Sequence, residues 1–340
     1  MRKLIAVALF VPGLLLARNA RSQQSQNPGA ANVGLSGRWI VTADFYGTPI
    51  SLSLELKQEE GKLGGDLDGN KLEGTLSGDS IHFVAKDDQG DTQECQATVQ
   101  DSTMSGSVTF TDASDQAHPS THSFTATLVP QRRAGPPQHH EFTPTVFYRQ
   151  FSAANKPVLT IAPGDTVHTT TVDAGGTDEK GITRVLGGNP ETGPFYIETA
   201  APGDTLAVHI TRLRLNRDWA VSDDAVVDRG LDSDLAVKMK DGGKTVPLRP
   251  MLGCVAVAPS SARAAPGTGD SGEWGGNMDF NEITEGATVL LPVSVPGALL
   301  YVGNGHAAQG DGELNGNALE TSMDVEFSVD VISGHRVPGP

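Results

Sequence analysis

Stretches in which polar and apolar residues alternate dominate the first half of the chain, and this pattern limits the fold more than any other feature. Such stretches, including ISLSLELKQ and HSFTATLVP, run from Gly37 to Pro130, with Gly, Asp or Asn between them. Alternation places successive side chains on opposite faces of a strand, and turns every ~8 to 12 residues are typical of antiparallel meanders. The sequence therefore predicts a small antiparallel β-barrel or sandwich over about residues 34–130.

Two short segments bear on the type of this first domain. The SGRW segment at 36–39 and the glycine-spaced hairpins resemble the start of small lipocalin-like or avidin-like barrels. The DLDGN segment at 66–70 resembles a calcium loop, but Lys71 stands where an EF-hand requires Gly, and no Glu closes the frame. A hairpin turn is the better interpretation of DLDGN, because Asp-Gly suits a two-residue turn.

A Pro-rich segment at 131–140 predicts a linker, and a second, larger β-domain follows over 141–340. Pro-Gly-Asp recurs at 163–165 and 202–204, and each copy predicts a tight turn between strands. No long segment has helical periodicity, so the fold class is all-β, with a β-sandwich as the second domain. Long Gly- and Pro-rich loops are expected near 216–285, and loops of that length are usually functional.

Composition and the N-terminus indicate where the protein works. Residues 1–22 have the charged start, apolar run and small-residue exit of a signal peptide, which predicts a secreted or periplasmic protein with a polar tether at 22–33. Acidic residues outnumber basic ones, 41 to 25, which disfavours nucleic acid and anionic membranes as partners. Cys95 and Cys254 are expected to be two buried thiols rather than a disulfide.

The segment GNGHAAQGDGE at 303–313 carries the strongest candidate site. His306 offers an imidazole, and Asp311 and Glu313 offer carboxylates that would share a face if the segment were extended. One carboxylate could bind a cation while the other takes a proton from water, although a Gly-rich hairpin turn is the alternative. Asn277 with Asp279, and Asp173 at a strand end, are weaker candidates. Gly-x-Ser-x-Gly and His-Glu-x-x-His motifs are both absent from the sequence.

Several blocks together resemble one known family. NPETGPFYIETAAPGDTLAVHI, GGNMDF, and LLPVSVPGALLYVGNGHAAQGDGEL followed by ALE occur in the order typical of the acetamidase/formamidase family, over about Val158 to Val331. The resemblance implies a mostly β fold, homo-oligomers, a divalent metal, and hydrolysis of short aliphatic amides to acid and ammonia. Zinc suits imidazole with carboxylates, and calcium suits carboxylates alone.

The resemblance also assigns site residues. The family's site-bearing motifs fall on seven positions: Asp173, Asn277, Asp279, His306, Gln309, Asp311 and Glu313. From these we predict a metal set of His306, Asp173 and Asp311, with Glu313 as general base and Asn277 as an amide-orienting or oxyanion donor. Asp279, Gln309 and Asn304 are predicted to bind substrate or to support the ligands.

The chain departs from the family pattern at identifiable places. Asn304 stands where the family usually has Asp, and Asn189 where many members have His. Family members also continue beyond the position of Pro340, so a shortened C-terminal domain is expected. These departures favour an alternative function, in which a secreted binding protein carries an amidase-like domain that has lost catalysis.

Overall fold

The computed structural model describes residues 34–222, 235–238, 248–260, 265–314 and 316–340, with only the backbone described for 235–238. These residues form 23 strands and one short 3₁₀ turn, which confirms the predicted all-β class. The predicted signal peptide and tether lie outside the described residues, as do parts of the long loops expected at 216–285. No helix in the described ranges has the length and apolar character needed to cross a membrane.

Eight antiparallel strands close into a barrel, in which each strand pairs with the next and β1 pairs with β8. The strands are β1 (Gly37–Phe45), β2 (Thr48–Glu59), β3 (Lys62–Leu67), β4 (Asn70–Ser77), β5 (Ser80–Lys86), β6 (Thr92–Gln100), β7 (Thr103–Thr111) and β8 (Ser120–Leu128). The predicted meander is therefore confirmed as an eight-stranded barrel.

Alternation and turn chemistry explain this barrel. Trp39, Leu54 and Phe83 are buried in a core separate from the rest of the protein. Asp68 and Gly69 join β3 to β4 with φ of 50° and 92°, the left-handed values of a tight hairpin turn. The backbone N–H of Gly69 donates to the Asp66 carboxylate at 2.7 Å, so DLDGN is a hairpin turn, as predicted.

Two further sheets form the larger part of the protein. A five-stranded sheet has the order β20-β14-β23-β12-β9, and a ten-stranded, branched sheet contains the other strands. The five strands are β9 (His139–Glu141), β12 (Thr166–Thr170), β14 (Thr205–Leu215), β20 (Thr288–Pro292) and β23 (Met323–Ile332). The ten are β10 (Phe147–Tyr148), β11 (Leu159–Ile161), β13 (Glu191–Ile197), β15 (Trp219–Ser222), β16 (Leu235–Lys238), β17 (Met251–Ala256), β18 (Ser271–Gly272), β19 (Gly275–Asn277), β21 (Leu300–His306) and β22 (Glu320–Thr321).

Both sheets contribute to one hydrophobic core, as expected of a sandwich. Val325 and Phe327 of the five-stranded sheet belong to the same buried cluster as Val255 and Val302 of the ten-stranded sheet. Every residue of β17 and β21 is buried, so these strands form the centre of the domain. Their ends provide rigid positions for polar side chains.

The two Pro-Gly-Asp segments are tight turns, as predicted. In each turn the Asp carboxylate accepts the N–H of the residue three positions earlier, at 3.0 Å for both Asp165 and Asp204. The Asp204 carboxylate also accepts from Gly334 N at 2.8 Å and from Arg38 Nη2 at 2.5 Å. Because Arg38 lies on β1, this fully buried carboxylate joins the barrel to the sandwich.

The predicted linker ends earlier than expected, and the two cysteines are unpaired. Strand β9 begins at His139, so the last two residues of the predicted linker belong to a sheet; backbone pairing with β12 overrides their Pro-rich surroundings. Cys95 and Cys254 are both free and buried, as predicted, and lie in different cores.

Candidate active site

Four strands of the ten-stranded sheet bring the site residues together. Strand β21 ends at His306, which pairs with Met251 of β17 on one side and with Glu320 of β22 on the other. Strand β19 pairs with β17 and ends at Asn277, two residues before Asp279. The register of the sheet therefore places an imidazole and carboxylates from separate parts of the chain at one location.

His306 is fully buried at the centre of this group. Its Nδ1 lies 2.8 Å from Oε1 of Gln309, and its Nε2 lies 3.2 Å from Glu320 Oε1 and 3.9 Å from Asp279 Oδ1. Since Gln309 Oε1 can only accept, Nδ1 carries the proton and Nε2 faces the carboxylates. Burial would lower the pKa of His306, but the carboxylates of Glu320 and Asp279 outweigh it and raise the pKa to about 9.

Glu313 approaches this group from a short 3₁₀ turn, Asp311–Glu313. The expectation of an extended segment here is wrong, because Gly312 and Glu313 have φ of 69° and 42°, which reverses the chain. Asp311 and Glu313 consequently do not share a face. Burial and the neighbouring charge of Asp279 raise the pKa of Glu313 to about 7.

A network of side-chain amides holds Asp279. Asn277 Nδ2 donates to Asp279 Oδ2 at 2.5 Å, and Asn304 Nδ2 lies within hydrogen-bond distance of Asp279 Oδ1, at 3.1 Å. Oδ1 of Asn277 in turn accepts from Asn304 at 2.7 Å and from Asn189 at 3.0 Å. Burial raises the pKa of Asp279, which makes it a positioned carboxyl group with increased basicity.

The backbone of this network is unusual. Asn189, Asp279, Asn304 and Glu313 all have positive φ, between 42° and 52°. Left-handed backbone is costly for most residues and tends to occur at functional sites, where Asn and Asp tolerate it best. A Cβ on Gly253 would lie 2.4 Å from Asp279 Oδ1 and 2.6 Å from Asn304 Nδ2, so only glycine fits beneath the pair.

The structure separates two of the predicted metal ligands from His306. Asp173 is buried, and its carboxylate accepts from Arg217 Nη2 at 2.7 Å and from Thr177 N at 2.8 Å. Asp311 is exposed on the 3₁₀ turn, where it accepts a hydrogen bond from Asn281 at 2.5 Å. Neither carboxylate contacts His306 in the described structure.

Glu320, which the sequence did not single out, lies beside His306 where Asp173 and Asp311 do not. Ligand atoms of His306, Glu313 and Glu320 all lie within 4.8 Å of one another. Oε2 of Glu320 is buried and has no hydrogen-bond partner among the described residues. The ALE block, which ends at Glu320, was the sequence signal that could have identified it.

Glu313 and Glu320 line a cavity of about 710 Å³. Its lining includes Asn189, Asn277, Asp279, Asn304, Glu313 and Glu320. The cavity therefore holds carboxylates for proton transfer and amide groups for hydrogen bonding beside a buried imidazole. That combination can orient a small polar substrate and activate water.

The chain is similar in sequence and fold to proteins of one family. The model of the acetamidase/formamidase family matches residues 215–337. A solved structure from Thermoanaerobacter tengcongensis, described as a predicted acetamidase/formamidase, is 31% identical with a TM-score of 0.52; the match covers 59% of this chain and 72% of that one. The chain belongs to the acetamidase/formamidase family.

Curated relatives in the family match over shorter segments. An acetamidase from Mycolicibacterium smegmatis is 40% identical over 80 residues, which is 23% of this chain and 19% of that protein. A relative from Schizosaccharomyces pombe is 46% identical over 59 residues, which is 17% of this chain and 14% of that protein. The chain thus aligns with less than a fifth of the length of these two proteins.

The two residues that depart from the family pattern, Asn304 and Asn189, both belong to the amide network. Asn304 stands where Asp was expected, and its Nδ2 lies close to both Asn277 and Asp279. Asn189, which stands where His was expected, donates to Asn277. Both residues thus take part in the amide network that holds Asp279.

Proposed function

We propose that this protein hydrolyses a short linear amide, such as acetamide or formamide, to a carboxylate and ammonia. The observation that carries the proposal is the group of His306, Glu313 and Glu320, of which the two carboxylates line a cavity together with the amide network, in a chain that belongs to this family. Amide hydrolysis needs a base that takes a proton from water and an acid that gives one to the leaving nitrogen. The paired carboxyl groups can supply both functions.

We further propose that a divalent cation assists the reaction. The residues that would hold it are His306, Glu313 and Glu320, and the unpartnered Oε2 of Glu320 fits a donor set of this kind. Imidazole with two carboxylates is the chemistry that zinc accepts, and calcium is the alternative. A bound cation would act as a Lewis acid toward the amide carbonyl.

Asp279 is the carboxylate that we propose takes the proton from water. Its side chain is fixed by Asn277 and Asn304, and its raised pKa makes it a stronger base than an exposed carboxylate. Glu313, which the sequence predicted as the base, is instead among the residues that would hold the cation, and it is hydrogen-bonded to Asp279. The water oxygen bonds to the carbonyl carbon as it loses this proton, and the same proton then passes to the amide nitrogen as the C–N bond breaks, which yields the acid and ammonia.

Asn277 and Gln309 act by positioning in this proposal. The carbonyl of Asn277 accepts from two other amides, and its Nδ2 donates to Asp279, so it holds the base. Gln309 accepts from His306 and donates to the backbone carbonyl of Asp279. Its side chain therefore fixes the imidazole relative to the segment that carries Asp279. Loss of either residue is expected to reduce activity without preventing folding.

Ammonia release from purified protein tests the proposal. The protein is assayed with formamide and acetamide after zinc loading, and again after treatment with a chelator. We expect His306→Ala and Asp279→Asn to lose at least a hundredfold in kcat/KM, while His118→Ala, at an exposed barrel histidine, serves as the control and retains activity. Absence of ammonia release by folded protein under every metal condition would refute amide hydrolysis. Ligand binding without release would favour the binding-protein alternative.

We also propose that the protein is exported and forms a homo-oligomer. The support for export is the signal-like sequence at 1–22, and the support for an oligomer is the resemblance to the family. The intact mass of protein from the extracellular or periplasmic fraction tests the first proposal, since cleavage near Ala20 to Gln23 would shorten the chain. Light scattering tests the second, and a monomer at micromolar concentration would contradict it.

A further inference from the structure

The lining of the cavity that holds the proposed catalytic groups includes a small apolar wall, formed by Trp219 and Val221. Both residues lie on β15, and Asn277 and Asp279 line the same cavity. Neither apolar residue has a role in the proton transfers proposed above. Their position shows that the cavity offers surface to a part of the substrate other than the amide.

Trp219 is held in place before any substrate arrives. The guanidinium carbon of Arg217 lies 3.5 Å from the centre of the Trp219 ring, a cation–π contact. The Trp219 carbonyl accepts from Thr321 Oγ1 at 3.1 Å and from Arg217 Nε at 3.2 Å. A preorganised aromatic surface of this kind binds apolar groups with little loss of side-chain entropy.

The size of the cavity exceeds what a very small amide needs. Its volume is about 710 Å³, within the ~300–1,000 Å³ range of pockets that enclose drug-sized ligands. Part of this space exists because Gly175, Gly187, Gly188 and Gly316 line the cavity without side chains. Acetamide carries only a methyl group beside its amide and would leave most of the volume to water.

The charges around the cavity restrict the occupant further. Asp279, Glu313 and Glu320 line it, and none of the described lining residues is Lys or Arg. The Arg217 side chain is only 2% exposed and is paired with Asp173. A substrate with a carboxylate beside its amide would meet like charges here, whereas a neutral one would not.

We propose that, besides the short linear amides named above, the site accepts a neutral primary amide with a ring-bearing apolar acyl group and binds it more tightly, and that Trp219 and Val221 determine this specificity. The inference rests on the proposed amide hydrolysis. An aromatic acyl group would pack against the part of the indole that Arg217 leaves open, while its carboxamide reaches Asp279 and the amide network. Aromatic pairs of this kind add to the gain from burial alone.

Kinetics with acetamide, benzamide and succinamate test the proposal on zinc-loaded, full-length protein. Burying a side chain the size of Phe contributes about 1.5–3 kcal/mol, which converts to roughly a 10- to 150-fold difference in binding. We therefore expect the KM for benzamide to be at least tenfold lower than that for acetamide. We expect the KM for succinamate to be the highest of the three, because of its carboxylate.

Two variants at the wall and one control separate specificity from stability. Trp219→Ala removes the aromatic surface, and Val221→Phe fills the cavity; each is expected to raise the ratio of the benzamide KM to the acetamide KM at least tenfold. Tyr46→Ala, at a barrel turn where the side chain is 87% exposed, should leave the ratio unchanged. Val221→Phe keeps the test valid if Trp219→Ala fails to fold.

The possible results distinguish this inference from the proposed function. Hydrolysis of acetamide with an equal or lower KM than benzamide would overturn the inference and leave amide hydrolysis standing. An unchanged KM ratio in both folded wall variants would overturn the assignment of Trp219 and Val221. Failure to hydrolyse any amide would overturn the proposed function and this inference with it.

Discussion

The ion pair between Arg217 and Asp173 leads to a specific prediction about stability. The side chains are 2% and 4% exposed, and their nearest charged atoms are 2.7 Å apart. Replacement of Arg217 by Met would retain much of the side-chain volume but leave the Asp173 carboxylate buried with one backbone donor, Thr177 N. Breaking a buried pair in this way costs about 3–5 kcal/mol, compared with a typical total stability of ~5–15 kcal/mol.

Urea unfolding with linear extrapolation measures the loss. We expect R217M to reduce the free energy of unfolding by about 3–5 kcal/mol, because the uncompensated charge remains in the folded state. R249M is the matched control: Arg249 pairs with Glu282 at 2.7 Å, but both side chains are about half exposed, so no measurable loss is expected. The double variant D173N/R217M should recover part of the loss, since it removes the buried charge.

Two results would refute this reasoning. If R217M loses less than about 1 kcal/mol, Asp173 is not an uncompensated buried charge in that variant. If D173N abolishes binding of zinc by the folded protein while R217M does not, Asp173 serves as a metal ligand, as the sequence analysis predicted. We expect D173N to keep its zinc, because the Asp173 carboxylate is occupied by Arg217.

Three further predictions concern other residues. Glu320→Gln should weaken zinc binding by at least tenfold in calorimetry because it removes a charged ligand, and unchanged affinity would exclude Glu320 from the site. Gly253→Ala should lower kcat through displacement of Asp279 while circular dichroism stays native, and full activity would contradict the close approach at 2.4 Å. Burial would raise the pKa of Asp165, but hydrogen bonds from Gln138 N and the other donors to this carboxylate outweigh it and lower the pKa to about 2. Asp165 should therefore contribute about 1–2 kcal/mol of stability above pH ~4. This contribution is lost as the pH falls through about 2, so the difference in urea stability between wild type and Asp165→Asn should be largest at neutral pH; a constant difference from pH 7 to pH 2 would contradict it.

The barrel could be predicted from the sequence because its determinants are local. Alternating residues define each strand, and pairs such as Asp68-Gly69 define each turn, so neighbouring segments contain the information needed to pair them. The second domain could be assigned to the all-β class on the same grounds. Its sheet order could not be derived, because β14 pairs with β23, more than a hundred residues away.

The candidate site was predicted only where local sequence patterns reveal its residues. His306, Asn277 and Asp279 were identified because they stand in distinctive Gly-rich segments. Glu320 was missed because only the pairing of β22 with β21 places it opposite His306. Asp173 was assigned to a metal because nothing near it in the sequence reveals its pairing with Arg217, 44 positions later.

The contact between Arg38 and Asp204 bears on how this protein can be divided for experiments. Removing the barrel would leave Asp204, which is fully buried in the intact chain, without its arginine. A fragment that starts at the linker would therefore contain the Asp204 carboxylate, at the turn before β14, without a cationic partner. Fragments intended for crystallisation or screening should retain the barrel, or should carry Asp204→Asn, so that the two-sheet portion is studied in a stable form.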